Sequence, residues 1–329
     1  METTNGENKI FVSVCVAIHG VAEYLDKCLK SLLNQNNFKD YEVLLLLDSA
    51  TKEDKEVAFK YSSQSPIFKI IEVDFKDQGL VRNHAIKLAR GEYIYFVDGD
   101  DYLENNCLIN IFSAIKEKSC DVLIFNYYLD KNNKKKRAFI KIKDNWHYKN
   151  KLEWAKAIVK DIKIRGYVWN KVYKKSFLIE NNLNSVRARR FIEDVLFNYF
   201  AFLKAKNIRC SSKYNYVYVY RKSSSLHSDP SILIEKYLRS LALMRYYSIN
   251  HDKKESTNIL YFTKKFMLLV CELQSLKYLK VNFFKYAKDI IRRINNIKKC
   301  DFSDYLNDEK FINTYHLIEL WAQEGENGL

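Results

Sequence analysis

The feature that most constrains this chain is the alternation of β-rich apolar runs with helical stripes over residues 10–130. Ile10 to Ile18 is a β-branched apolar run and reads as a first strand. Tyr24, Leu25, Cys28, Leu29, Leu32 and Leu33 recur at helical spacing and make one apolar stripe. Tyr41 to Leu47 is apolar on both faces, as a parallel strand covered by helices must be. A helix over Lys52 to Tyr61, a strand at Phe68 to Val73, and a helix over Val81 to Ala89 stopped by Gly91 come next. A strand at Tyr93 to Val97, a helix over Cys107 to Lys116 and a strand at Asp121 to Tyr128 complete the series. This order predicts an α/β fold built on a doubly wound parallel sheet, whose ligands sit at the C-terminal ends of the strands.

After residue 130 the pattern is less regular. Asp229-Pro230 reads as a helix start, with Asp as N-cap and Pro in the first helical position, and three or four helices are expected beyond it. The 329 residues, 47% of them hydrophobic, suit one domain of about 200 residues and a smaller second one. The expected division is a catalytic-type α/β domain over 1–229 and an all-α domain over 230–329.

Two strands end in acid: Leu47-Asp48 and Val97-Asp98-Gly99-Asp100-Asp101. Three carboxylates within four residues repel one another unless a cation is shared among them. Carboxylate oxygens suit Mg²⁺ or Mn²⁺, and those ions bind diphosphates. Gly99 permits a close backbone approach. The competing reading is an acidic turn in which Asp100 or Asp101 caps the next helix. No glycine-rich phosphate loop follows the first strand, since Ala17-Ile18-His19-Gly20-Val21 holds a single Gly. Dinucleotide-binding and P-loop readings lose their main support.

The net charge of +15 is unevenly spread: −7 over residues 1–130 and +15 over 131–190 alone. Such a surface attracts phosphate, in a nucleotide, an anionic lipid or a nucleic acid. Lys131 to Arg137 also reads as an ordinary solvated loop. No helix-turn-helix, zinc or RNA-binding signature is present, so nucleic acid is not expected as a partner. The seven cysteines lack metal or redox spacing and read as reduced core residues. The longest uncharged apolar run, Val43 to Leu47, is far short of a membrane span, and Met1 to Lys9 lacks the basic and apolar regions of a signal peptide.

Several ordered motifs resemble the family 2 glycosyltransferases. Arg82-Asn83 followed by Gly91-Glu92-Tyr93-Ile94-Tyr95-Phe96-Val97-Asp98-Gly99-Asp100-Asp101 resembles the family's central block. Val12-Ser13-Val14 with Tyr24-Leu25, Trp169 to Lys175, Phe191 to Phe197, and Tyr218 to Arg221 with Ser223 resemble further segments in the same order. The resemblance spans about residues 10–228. It implies a GT-A nucleotide-diphospho-sugar transferase fold, with a Rossmann-like mixed sheet flanked by helices, and an inverting transfer from a nucleotide sugar, most simply a UDP-sugar. Carried over, Asp98 contacts the ribose or uridine and Asp100 coordinates Mn²⁺ or Mg²⁺ under the donor diphosphate. Asp194 is the base with Glu193 beside it, and Arg82 helps hold the nucleotide. The family's Pro-x-Tyr-Asn is replaced here by Ala17-Ile18-His19-Gly20, and its Asp-Asp-Gly-Ser by Leu47-Asp48-Ser49-Ala50. Ala17, His19 and Asp48 therefore fall where the base would lie, with Asp48 or His19 as its contact.

Lys171 and Arg189 are candidates for phosphate, against a solvated basic face. Trp169 is a candidate for the acceptor pocket, against simple core filling. His227 would complete the metal shell, against a surface role. The implied enzyme is a hexosyl- or N-acetylhexosaminyltransferase acting on a growing bacterial surface glycan, lipid-linked, on the cytoplasmic side of the membrane. The basic amphipathic stripe Phe284, Ala287, Ile290, Ile291 and Ile294 offers either peripheral membrane contact or packing, including homo-oligomer packing. The alternative function is a catalytically weak homologue that binds glycan or assembles a complex.

Overall fold

A computed structural model describes residues 9–36, 38–138, 141–160, 164–188 and 192–221. The expected helical domain from residue 230 lies outside the described residues, as do Arg189 and His227.

The chain runs β1 (Val12–Ile18), α1 (Ala22–Leu33), β2 (Tyr41–Asp48), α2 (Lys52–Gln64), β3 (Phe68–Val73), α3 (Gln78–Leu88) and β4 (Tyr93–Asp98). It continues through β5 (Tyr102–Leu103), α4 (Cys107–Glu117), β6 (Val122–Lys131), β7 (Lys134–Arg137) and α5 (Lys151–Lys160). The last elements are β8 (Lys171–Lys174), α6 (Lys175–Glu180), α7 (Glu193–Lys204) and β9 (Ile208–Val219). Every element expected before residue 130 is present, with ends moved by a few residues.

The strands form one sheet in the order β3-β2-β1-β4-β8-β6-β9-β5, with β7 paired to β6. The first four are mutually parallel. Beyond β4 the sheet is mixed: β8 runs antiparallel to both β4 and β6, and β5 antiparallel to β9. The purely parallel sheet drawn from the alternation is thus corrected, and the mixed sheet that the family resemblance implies is found. The two-residue β5 is too short to leave a periodic trace in sequence.

All eight residues of β2 are buried because both sheet faces are covered. On one face Val12, Val14 and Val16 pack with Leu25, Leu29 and Leu32 of α1 and with Leu108 and Ile111 of α4. On the other, Cys15, Ile94 and Phe96 pack with α3, α5 and α7 through Val81, Trp154 and Phe197. The five described cysteines are all free and buried. No helix among the described residues is long and apolar enough to cross a membrane.

Buried carboxylates lock the edges of this layer. Glu42 in β2 accepts from Ser13 Oγ at 2.7 Å, Arg90 N at 2.7 Å, Arg90 Nε at 2.9 Å and Lys69 Nζ at 3.1 Å. It therefore ties β1, β2, β3 and the turn into β4 together. Burial opposes ionisation, but these four donors outweigh it and hold the carboxyl below its ordinary value. Asp54 closes a capping box with Thr51 at the start of α2. The same carboxylate accepts Gly20 N at 2.7 Å and Val21 N at 2.9 Å, so it also shapes the β1–α1 loop, where Gly20 has φ +63°.

Because Glu42's carboxyl is depressed on folding, its stabilisation is complete above the ordinary glutamate range and is lost as pH falls through the folded value. Glu42→Gln should cost about 2 kcal/mol at pH 7, a value discounted because the Lys69 and Arg90 partners are partly exposed. The gap to wild type should narrow as pH drops below about 4, where the wild-type carboxyl is also neutral. Urea unfolding at several pH values checks this; a gap that widens in acid would refute it.

Candidate active site

The sheet presents the C-terminal ends of β1, β2, β3 and β4 side by side. Chain order reverses between β1 and β4, the crevice where open α/β sheets receive ligands. In register, Ala17 at the end of β1 lies beside Asp98 at the end of β4. The turn after β4 is drawn in tightly. A Cβ on Gly99 would lie 3.0 Å from Ala17 O and 3.1 Å from Val21 Cγ2, so this position needs glycine for space.

The three aspartates of that turn do different things. Asp101 is 2% exposed and accepts from Tyr216 Oη at 2.6 Å and from Val219 N at 2.7 Å. Both of its oxygens pin the end of β9 over the turn. Burial first, then the Asp98 charge, holds its carboxyl well above the ordinary range. Asp100 pairs with the Arg221 guanidinium, which also lies 5.1 Å over the Tyr24 ring. Asp98 accepts from Gln78 Nε2 at 3.0 Å and stands 3.9 Å from Arg82 Nη2. Burial raises its carboxyl, with Arg82 opposing. Oxygens of Asp98, Asp100 and Asp101 all lie within 4.8 Å of one another. The helix-cap reading of this turn is removed, since α4 begins at Cys107 with Asn106 before it.

Arg82, on the buried face of α3, is the hub. Its Nη1 donates to Glu193 Oε1 at 3.1 Å and to Asp194 Oδ1, while Nη2 faces Asp98. Burial opposes its charge, but the Asp194, Glu193 and Asp98 carboxylates outweigh this and raise its pKa. One guanidinium thus joins the end of β4 to the first turn of α7, where carboxylates also suit the positive end of the helix dipole. Asp194 is further placed by Val168 N, 3.4 Å from Oδ2. Asn198 fixes the same turn by donating to Gly166 O and Asp194 O, both at 2.8 Å, and by accepting Tyr173 Oη at 2.8 Å.

Asp48 is buried, and its carboxylate accepts Lys76 N at 2.8 Å and Asp77 N at 3.1 Å, one bond to each oxygen, which ties it to the loop before α3. Lys171 is fully buried and donates to Arg165 O and Tyr167 O at 2.6 Å and to Asn170 Oδ1 at 2.9 Å. Burial pushes its pKa down to about 7. It holds the loop beneath Asp194 and has no donor left for phosphate. His19 is exposed at the crevice, with Nδ1 2.8 Å from Asp48 O. Trp169 is buried between Tyr167 and Tyr216, with ring centroids 4.6 Å away on each side, which answers for core packing.

The sequence does not single out Gln78 or Arg221 as site residues, and it groups Asp101 with Asp98 and Asp100 as a shared cation site. Arg221 carried a signal in the segment beginning at Tyr218, but its partner Asp100 lies far away in sequence.

Residues 13–174 match Glycosyl transferase family 2. EpsH of Bacillus subtilis (strain 168), named as a glycosyltransferase, is 30% identical over 191 residues, covering 58% of this chain and 54% of that protein. The poly(ribitol-phosphate) beta-glucosyltransferase of Bacillus spizizenii is 29% identical over 216 residues, 64% of this chain and 32% of that protein. The matches thus span about half of the first and a third of the second. The structure of S. aureus TarS 1-349 in complex with UDP-GlcNAc shares the fold, with TM-score 0.69 at 21% identity, covering 96% of this chain and 92% of that one. The chain belongs to the family 2 glycosyltransferases.

Glu193's carboxyl is held above its ordinary range, by burial first and then by Asp194, with Arg82 opposing. The native state therefore binds this proton more tightly than the unfolded chain, and stability falls as pH rises from the ordinary glutamate value toward neutrality. Glu193→Gln should flatten the dependence of Tm on pH between 5 and 8 and gain on wild type by a few degrees at the alkaline end. A variant that loses ground at pH 8 would show that the charge on Glu193 is net stabilising through Arg82.

Proposed function

We propose that this chain transfers a hexosyl or N-acetylhexosaminyl group, with inversion, from a UDP-sugar to a hydroxyl of a growing surface glycan. The observation that carries the reading is the Arg82 bridge, which sets Glu193 and Asp194 against the Asp98–Asp100 turn. The UDP-GlcNAc and UDP complexes of S. aureus TarS support a uridine donor.

The chemistry follows from these positions. Asp194 takes the proton of the acceptor hydroxyl as that oxygen bonds to the anomeric carbon. The bond from the anomeric carbon to the diphosphate oxygen breaks, and the electron pair leaves with the nucleoside diphosphate. Arg82 orients Asp194 and keeps its charge compatible with the nearby acids. The donor set at the turn fits a hard divalent cation, because Asp98 and Asp100 offer carboxylate oxygens while Asp101 is occupied by β9. Mn²⁺ or Mg²⁺ held chiefly by Asp100 would neutralise charge on the departing diphosphate. Arg221, already on Asp100, is a cation that can turn to the diphosphate once the carboxylate is shared.

The committed carboxylate of Asp48 favours a second reading, a homologue weak in base recognition that serves as a glycan-binding or assembly module. Peripheral attachment to the inner membrane face and self-association through residues 230–329 belong to the proposal as well.

Asp194→Asn should bind UDP with Mn²⁺ as wild type does and lose about 10²–10⁴-fold in transfer. Near wild-type transfer by this variant would move the base elsewhere. Asp100→Ala should keep the fold and lose Mn²⁺-dependent UDP binding in calorimetry. A wild-type chain that binds neither UDP nor Mn²⁺ would establish the second reading.

A further inference from the structure

The hairpin of β6 and β7 carries most of the compact basic run, and its two faces are not alike. Asn132 and Asn133 both have positive φ, 54° and 59°, as the two central residues of a tight hairpin turn require. The register pairs Lys131 with Lys134, Asp130 with Lys135, Leu129 with Lys136 and Tyr128 with Arg137. Directly opposed residues share a face and neighbours along a strand do not. One face therefore presents Lys135 and Arg137, and the other Lys131, Lys134 and Lys136.

On the first face Lys135 Nζ lies 2.6 Å from Glu104 Oε1 and 4.8 Å over the Tyr128 ring, and Arg137 lies 5.1 Å over the Tyr214 ring. The second face has no such ion pair. Lys131, Lys134 and Lys136 are exposed, and none meets a carboxylate among the described residues. Lys131 only covers the Tyr220 ring at 4.9 Å. Lys131 and Lys134 are direct cross-strand neighbours, an arrangement of like charges that costs stability. Leu129, between the lysines and the sheet, is 39% exposed.

This second face leads to the site. The parallel β6–β9 register sets Tyr127 beside Tyr216 and Leu129 beside Tyr218. Tyr216 and Tyr218 stack on Trp169, and Tyr216 Oη reaches Asp101. The half-buried Tyr127 and Tyr218 thus lie between the lysines and the buried Trp169–Tyr216 stack, whose hydroxyl meets the acidic turn. Charge placed on an edge strand also protects against edge pairing. That role needs charges on the edge but does not require three of them on one face without a carboxylate among the described residues.

We infer that the Lys131–Lys134–Lys136 face docks an acceptor polymer that carries regularly spaced negative charges of phosphodiester type. The inference rests on the transferase reading for what is docked and deepens it by naming the acceptor's charge. A linear polyanion suits a single row of exposed cations that points toward the site end of β6 and β9. The poly(ribitol-phosphate) enzyme among the relatives is similar over 64% of this chain and 32% of its own length, and its name carries such a polymer.

The test uses the full chain and inorganic polyphosphate as the probe, without donor. Lys134→Gln/Lys136→Gln should weaken polyphosphate binding roughly tenfold and lower the log–log salt slope by about one. Lys39→Gln/Lys52→Gln, which removes equal charge from exposed sites elsewhere, should change neither. Transfer to a short neutral acceptor and UDP binding should stay at wild-type levels in both variants. Equal losses in the two doubles would overturn the inference, because net charge alone would then explain binding. Hairpin-dependent binding to phosphatidylglycerol vesicles with none to polyphosphate would also overturn it and assign the face to a membrane. UDP binding in the same preparations reports on the donor reading separately: its loss with hairpin-dependent polyphosphate binding retained overturns that reading alone.

Discussion

A buried guanidinium is tolerable only among carboxylates, and clustered carboxylates are tolerable only around a cation. Arg82 and its three acidic partners satisfy that mutual demand, and much of the site is organised by it. The chain of supports can be followed backwards. Asp48 holds the backbone of Lys76 and Asp77. Asp77 caps α3 by accepting Gly79 N and Leu80 N, and it reaches across to Ala188 N. α3 then presents Arg82, and Arg82 fixes the first turn of α7. Asp48 thus reaches Arg82 through the loop and the helix cap that carry it.

The early half of the fold was legible because its burial is simple. β2 is covered on both faces, so eight successive apolar or buried positions announce it, and α1 shows one clean stripe. The later half hides its strands. β8 contains Lys171, a residue that argues against a core strand until its ammonium is seen to be capped by two carbonyls and an amide. β9 shifts register twice against β6, which breaks the period-two signal on which strand recognition depends. β5 is only two residues long and exists because Tyr102 and Leu103 meet β9.

At the site, Asp98 and Asp100 stood out because clustered charge at a strand end is hard to explain by packing, whereas Glu193 and Asp194 came only with the family resemblance, since acids in the first turn of a helix are ordinary. Asp101 was not separable from its neighbours, since adjacent residues in a turn diverge only when their partners are known. Its oxygens turn inward to Tyr216 and Val219, whereas Asp100 turns to Arg221. Lys171 shows the converse: a basic residue in the matching segment whose ammonium is spent on the loop beneath Asp194.

The strict two-residue period of the β6–β7 hairpin separates two kinds of inheritance. Substitutions at 131, 134 and 136 fall on a face with no ion-pair partners among the described residues, whereas 135 and 137 meet Glu104 and Tyr214. On the docking inference, 131, 134 and 136 are held to positive charge by what the chain binds, while 135 and 137 are held by contacts inside the protein. Relatives that act on uncharged acceptors should therefore lose charge at 131, 134 and 136 together, as one set of interleaved teeth, while the other set persists.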